Sequence, residues 1–254
     1  MDEPIRWIPY CGEAPGPEVW LSRWNLDPLL GGVLFLFGLA LWLWPSSDDL
    51  TPRQRLGLRA AWVLTLVLYV SPLCALSSAF FTVRVVHHMA LVLAIAPLLA
   101  FGLEPWLRRL PTPLWSVTAL SAVVFWIWHA PAPYAAALSS DGIYALMQLT
   151  LLASAIGFWT AIRRSPPASA LGAILVTTVL MGLLGALITF AAQPLYPPHF
   201  ASALAWGVSP LEDQQVAGIV MWAPGSFAYL AAAMWIGWRW MSDERASGWR
   251  AGPA

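Results

Sequence analysis

Residues 169–192 read SALGAILVTTVLMGLLGALITFAA. These 24 positions hold no Asp, Glu, Lys, Arg or His. A helix of about 20 mostly apolar residues crosses the hydrocarbon core of a bilayer, so the stretch predicts a transmembrane helix. Six more stretches of this kind lie around it, at 28–44, 56–80, 85–103, 114–129, 142–162 and 216–238. Composition agrees. The chain is 59% hydrophobic and only 10% charged, with a mean hydropathy of +0.66, whereas a soluble chain carries about 25% charged residues. The expected fold is an all-α integral membrane protein, a bundle of seven transmembrane helices. The connections are too short for a separate soluble domain. One polytopic domain is expected, with a tail at 1–27, the bundle at 28–238 and a second tail at 239–254.

Arginine orients the bundle. All 13 basic residues are Arg. Ten fall on one side: Arg53, Arg55, Arg59, Arg108, Arg109, Arg163, Arg164, Arg239, Arg245 and Arg250. The other side holds Arg6, Arg23 and Arg84. The positive-inside rule then places the N-terminus outside and the C-terminus in the cytoplasm. Residues 1–27 contain Asp2, Glu3, Glu13 and Glu18 and no apolar core. They read as a tail carried across with span one rather than as a cleavable signal. The formal net charge is zero, which removes nucleic acid as a partner.

Asp27-Pro28 reads as a helix start, with Asp as cap and Pro at the first helical position. Trp20, Trp24, Trp42, Trp44, Trp126, Trp128, Trp235, Trp238 and Trp240 sit near span ends, where tryptophan anchors at headgroup level. Pro72 and Pro97 each remove a backbone donor inside a span and should kink it. Gly172, Gly182 and Gly185, with Ala186 four residues after Gly182, predict close helix packing within the bundle rather than a dimer seam. The Pro131–Pro133 and Pro194–Pro198 stretches read as rigid turns. Two readings of the cysteines stay open: a Cys11–Cys74 disulfide, or Cys74 as a small buried hydrophobe with Cys11 as a loop thiol.

The chain has no P-loop, GxGxxG, HExxH, GxSxG or CxxC pattern. No catalytic constellation is present, and the chain does not read as an enzyme. What remains is histidine. The topology brings all four, His87, His88, His129 and His199, to the outer face. Histidine is the commonest metal ligand among side chains. His87 and His88 are adjacent, so they point about 100° apart and do not share one ligand comfortably. Met221 and Met89 lie about a turn deeper on the same side. Imidazole with thioether suits copper, and imidazole also suits zinc. Glu212 and Asp213 have two readings of equal weight, as caps of span seven or as acceptors that orient ligating histidines. Arg84 shares a helix face with His88. Its charge opposes a nearby cation unless a carboxylate offsets it, so an Arg84–Asp213 pair across the outer mouth is expected.

Four elements together resemble one family. They are Cys11-Gly12-Glu13-Ala14-Pro15 with Trp24-Asn25-Leu26-Asp27-Pro28, then His88-Met89-Ala90-Leu91 leading to Ala96-Pro97-Leu98-Leu99, then Trp128-His129-Ala130-Pro131 with Tyr134, Ala137 and Leu138, and the run from Ser209 to Trp222, SPLEDQQVAGIVMW. The chain resembles the polytopic CtaG-like family of cytochrome c oxidase assembly factors, which is distinct from the single-span copper chaperone of the same name. The resemblance implies a protein of the bacterial plasma membrane that matures a haem-copper oxidase by binding or delivering copper at the outer face. It implies haem-copper oxidase subunits, and an extracytoplasmic copper donor, as partners. It also implies a His-x-x-x-His pair at the start of span three. Here Arg84 takes the first position and His88 the second, and Gln148 stands where the family often has a histidine in span five.

The expected site is a transient copper site with His88 and His129 as ligands and His87, His199, Met221 and Asp213 in support. Two other readings compete with it. In a haem-binding or quinol-linked membrane subunit, a haem held between His88 and His129 would give a red protein with a Soret band. A scaffold without metal would hold a membrane respiratory complex in a manner insensitive to His→Ala changes.

Overall fold

Proline is the first residue of six of the twelve described α-helices. It has no N–H to leave unpaired and its φ is already helical. The computed structural model describes residues 7, 9–43 and 50–250, with side chains at the C-terminal end described as far as 244. Asp2, Glu3, Arg6, Trp44 and the side chains of Arg245 and Arg250 lie outside the described residues.

In chain order the helices are α1 (Pro28–Leu43), α2 (Pro52–Tyr69), α3 (Pro72–Ala79), α4 (Phe81–Ala90), α5 (Ala96–Gly102), α6 (Glu104–Leu107), α7 (Leu114–His129), α8 (Pro131–Ala137), α9 (Asp141–Arg164), α10 (Pro167–Thr189), α11 (Phe200–Ala205) and α12 (Pro210–Arg250). A π turn, Leu91–Ile95, joins α4 to α5. Asp27 caps α1 as expected, its carboxylate accepting the Leu30 N–H at 2.7 Å. Thr51 and Gln54 form a reciprocal capping box on α2. Ser209 and Glu212 do the same for α12, at 3.0 and 3.1 Å.

Four segments are long and apolar enough to cross a membrane: Phe81–Gly102, α9, α10 and α12. The pairs α2 with α3, bent by 52°, and α7 with α8, bent by 77°, raise the number to six if each pair is one span. α1 has 16 residues, about 24 Å of helix against a core of about 30 Å. This is a multi-pass helical membrane protein, and the expected seven spans become four continuous ones, two bent pairs and one short helix.

Pro72 breaks its span outright. Pro97 acts differently. The turn before it widens to π register, so that the Ala96 N–H reaches Leu91 O. In that register the next carbonyl, Val92 O, would need an N–H from Pro97, which has none. The Trp159 indole supplies it instead, donating to Val92 O at 2.9 Å. Trp128, expected as an anchor, is likewise an interior donor, to Thr150 Oγ1 at 2.8 Å. Trp24, Trp42, Trp235 and Trp238 are exposed.

α10 lies against α12 with backbone close to backbone. A Cβ on Gly185 would stand 2.8 Å from Gly218 O, and one on Gly218 would stand 2.6 Å from Gly185 O. The small residues of span six thus serve packing inside the bundle. The Pro131–Pro133 stretch is not a turn but the start of α8. α12 also continues past 238 as helix to Arg250.

Candidate functional site

α4 begins at Phe81, earlier than its hydropathy indicates. His87 and His88 therefore lie about two turns into the helix rather than in its first turn. All four histidines are buried. The two neighbours diverge, as their 100° separation predicts. His87 meets the Tyr69 ring of α2 edge-on, with centroids 4.7 Å apart. His88 meets His129 of α7 edge-on at 5.6 Å.

The His129 Nδ1–H donates to Phe125 O, one turn back, at 2.7 Å. That bond fixes the tautomer and leaves Nε2 with its lone pair free. Nε2 is buried and has no hydrogen-bond partner. His88 Nε2 accepts from the Gln148 amide at 3.3 Å, and Gln148 Oε1 accepts from Tyr69 Oη at 2.9 Å. His88 Nδ1 has no partner, nor has either nitrogen of His87. Unpartnered buried polar atoms are rare, and here four of them lie on His87, His88 and His129, whose ring centroids are 6.3 Å apart for the first two and 5.6 Å for the last two.

His199 belongs to a neighbouring cluster. It ends the Pro197–His199 turn, and its Nε2 is bonded to the Tyr134 hydroxyl. Phe81 stacks on Tyr196 at 3.7 Å and lies edge-on to Tyr134 at 5.4 Å. Tyr196 Oη then donates to the His129 carbonyl at 2.8 Å, which ties this cluster to the first. Met221 is fully buried in the apolar core of α12.

The expected Arg84–Asp213 pair is not what holds either residue. Asp213 accepts the backbone N–H groups of Phe81 at 2.7 Å and Thr82 at 3.1 Å, so it caps α4 from another helix. The first turn of a helix offers unpaired N–H groups to a carboxylate, and these consume both oxygens. Arg84 is completely buried and donates through Nη1 to Tyr144 Oη at 2.9 Å. Its Nε and Nη2 have no partner. Among the described residues no group of three or more His, Cys, Asp or Glu side chains converges as a metal cage. His88 with His129 is a two-imidazole arrangement.

The N-terminal tail covers this end of the bundle. Cys11 and Cys74 are joined by a disulfide, which settles the pairing left open by the sequence. Tyr10 stacks on Tyr144 at 5.3 Å, and the Trp206 indole donates to Pro15 O at 2.9 Å. Sequence reasoning passed over Tyr69 and Tyr144 as partners of these groups. A tyrosine in an apolar span needs a partner for its hydroxyl, and that was the available signal.

The run from Ser209 to Trp222 supplies a capping box, the cap of α4 and the glycine contact with α10, so its density of polar and small residues is structural. Residues 49–243 match the family model described as cytochrome c oxidase caa3 assembly factor (Caa3_CtaG). The chain belongs to that family. The match covers every helix from α2 to α11 and most of α12, and so contains His87, His88, His129 and His199. Comparison with curated proteins and with solved structures gives no match. Membership in the caa3 assembly-factor family implies work on a cytochrome c oxidase and leaves open what the imidazoles do.

Proposed function

We propose that this caa3-type assembly factor takes up copper transiently between His88 and His129 and passes it to a haem-copper oxidase at the outer face of a bacterial plasma membrane. Copper is cargo in this reading, and the chain acts as a carrier rather than an enzyme. The observation that carries it is His129 Nε2, which is buried, unprotonated and without a partner, on a ring whose other nitrogen is held by Phe125 O. Neutral imidazoles oriented through their second nitrogen are the usual form of a histidine ligand.

Gln148 gives His88 the matching property. If its amide turns by 180°, Oε1 accepts from a His88 Nε2–H and the amide N–H donates to Tyr69 Oη. His88 and Gln148 stay satisfied while the Tyr69 O–H gives up its Gln148 acceptor, and His88 Nδ1 becomes the free lone pair. Two imidazoles suffice for Cu(I), whose low coordination number suits a cargo that must leave again. An extracytoplasmic donor would supply the ion.

Orientation rests on two features at opposite ends of α9. The disulfide, 3.8 Å from Tyr144 Oη near the start of α9, belongs to an oxidising compartment. Arg163 and Arg164 sit at its other end, where Arg163 pairs with Glu104 at 3.1 Å.

The test is anaerobic loading of purified protein with Cu(I), wild type beside His88→Ala and His129→Ala. About one copper per chain, lost in both variants, is expected. A wild type without copper, or variants that load equally, would overturn the reading in favour of a scaffold.

A further inference from the structure

α1 reaches the bundle through α2, where the Trp62 indole donates to Leu34 O at 2.8 Å. It leaves a cleft of about 440 Å³ between itself and α9. Leu30 and Val33 of α1 wall one side, Tyr144 and Gln148 of α9 the other, and Tyr69 and Leu91 the back. Val33 and Leu149 at its edges are exposed, so the opening faces lipid. A volume of this order is that of a small-molecule site. Its wall is mostly apolar, with Tyr10, Thr65 and Asp141 and three buried side chains, Tyr69, Tyr144 and Gln148, as its polar members.

Tyr144 is the telling residue. Its hydroxyl accepts from the buried Arg84 guanidinium at 2.9 Å and lies beside the Gln148 amide, whose oxygen already accepts elsewhere, while Cys11 Sγ is 3.8 Å away. Sulfur is a weak acceptor. The Tyr144 O–H is thus a donor strengthened by the charge behind it, with no strong acceptor in the protein. It calls for an oxygen from a ligand. From Asp141 at the rim to Gln148 the polar wall descends seven residues of α9, about 10 Å. A phospholipid can bring its ester carbonyls to Tyr144, one turn below the rim, but leaves Gln148, a turn deeper, to acyl chain alone. A neutral carbonyl-bearing ring can descend to it without burying an ion.

We propose that the cleft binds a quinone-class molecule, a neutral ring with carbonyl oxygens on a long apolar chain, that enters from the bilayer and accepts a hydrogen bond from Tyr144 Oη. Gln148 and Tyr69 line the inner end of the same site, so a bound ring lies one residue from His88. This binding goes beyond copper handling and does not depend on it.

The test is equilibrium binding of decylbenzoquinone to the full-length protein in mild detergent, with organic extraction and mass spectrometry of what co-purifies. Saturable binding at about one per chain is expected. Val33→Trp fills the cleft from α1 and Leu149→Trp fills it from α9. Each should weaken binding at least tenfold while circular dichroism and Cu(I) loading stay at the wild-type level; if one variant fails to fold, the other carries the comparison. Tyr144→Phe should weaken binding several-fold. No saturable binding to folded wild type, equal binding to a folded Trp variant, or a co-purifying phospholipid that decylbenzoquinone does not displace would each overturn the proposal.

Discussion

Asp213 on α12 caps α4, its carboxylate taking the N–H groups of Phe81 and Thr82 from 132 and 131 residues away. The Thr82 hydroxyl returns a bond to Asp213 O at 2.7 Å. One acidic residue therefore sets where the helix bearing Arg84, His87 and His88 begins. Asp213→Ala leaves two donors of that turn unpaired and should cost about 2–3 kcal/mol. Asp213→Asn keeps one acceptor and should cost about half as much. Thermal melts in detergent give the order. Because Arg84 and Asp213 are not paired, the exchange Arg84→Asp with Asp213→Arg should recover nothing; recovery of wild-type stability would show that the two charges do meet.

Gln148 bears on copper affinity directly. It occupies the place in α9 that touches His88 Nε2. Gln148→His keeps a hydrogen-bonding group at His88 Nε2 but faces the ring edge opposite Nδ1, so it adds no third ligand and Cu(I) competition titration should show affinity near the wild-type level. Gln148→Leu removes the group that orients His88 and should lower affinity by about 10–100-fold, the range seen for partners that orient metal ligands. Identical affinities in all three proteins would place the copper elsewhere.

The bond from Trp159 to Val92 O answers a donor that Pro97 lacks. Trp159→Phe keeps the ring packing but leaves that carbonyl unpaired inside the bundle, at a cost of about 1–3 kcal/mol. Adding Pro97→Ala lets the backbone return to α register and should recover most of it. A double-mutant cycle on melting temperature measures the coupling, and additive effects would refute it.

These cases show what was legible in the sequence. Signals that act within one turn were read correctly. Asp27-Pro28 caps and opens α1, Pro72 breaks its span, and the small residues near Gly185 mark a close helix contact. The approach of His88 to His129 followed from the spans that carry them, although His87 and His88 lie about two turns into their helix rather than in its first turn. Partners set by the arrangement of the helices were not legible. Asp213 was assigned to its own helix or to Arg84 because nothing local distinguishes a cap in trans from one in cis. The bend after His129 escaped notice because Pro131 opens a helix as readily as a turn. The Tyr69–Gln148–His88 chain joins three helices whose order around the bundle no hydropathy profile contains.

The Cys11–Cys74 bond closes a loop with a sequence separation of 63. Chain entropy for a loop of that size gives about 4 kcal/mol as an upper figure. Spans already held in a micelle restrict the unfolded chain, so about 2–3 kcal/mol is expected. Cys11→Ser should lower the melting temperature and expose residues 9–25 to protease, because it removes the covalent tie that backs the Tyr10 stack, the Trp206 bond to Pro15 and the Asn25 N–H bond to Val70 O. A tail equally protected in Cys11→Ser would show that the non-covalent contacts suffice.

His199 gives the acid limit of stability. It lies in the turn between α10 and α11, and burial, followed by the Arg84 charge, pushes its imidazole down from 6.5 to about 3. The folded chain therefore holds it neutral, while the unfolded chain protonates it below pH 6.5. Between pH 6.5 and about 3 the unfolded state binds the extra proton, so stability is complete above 6.5 and falls as the pH drops. The slope approaches 1.36 kcal/mol per pH unit, giving about 2 kcal/mol lost by pH 5. His199→Gln keeps a hydrogen-bonding group for Tyr134 and removes the titration. From pH 7.5 to pH 5 the wild type should lose about 2 kcal/mol more than the variant in denaturant or thermal unfolding. Parallel losses in the two proteins would mean that His199 reaches solvent and takes up its proton while still folded.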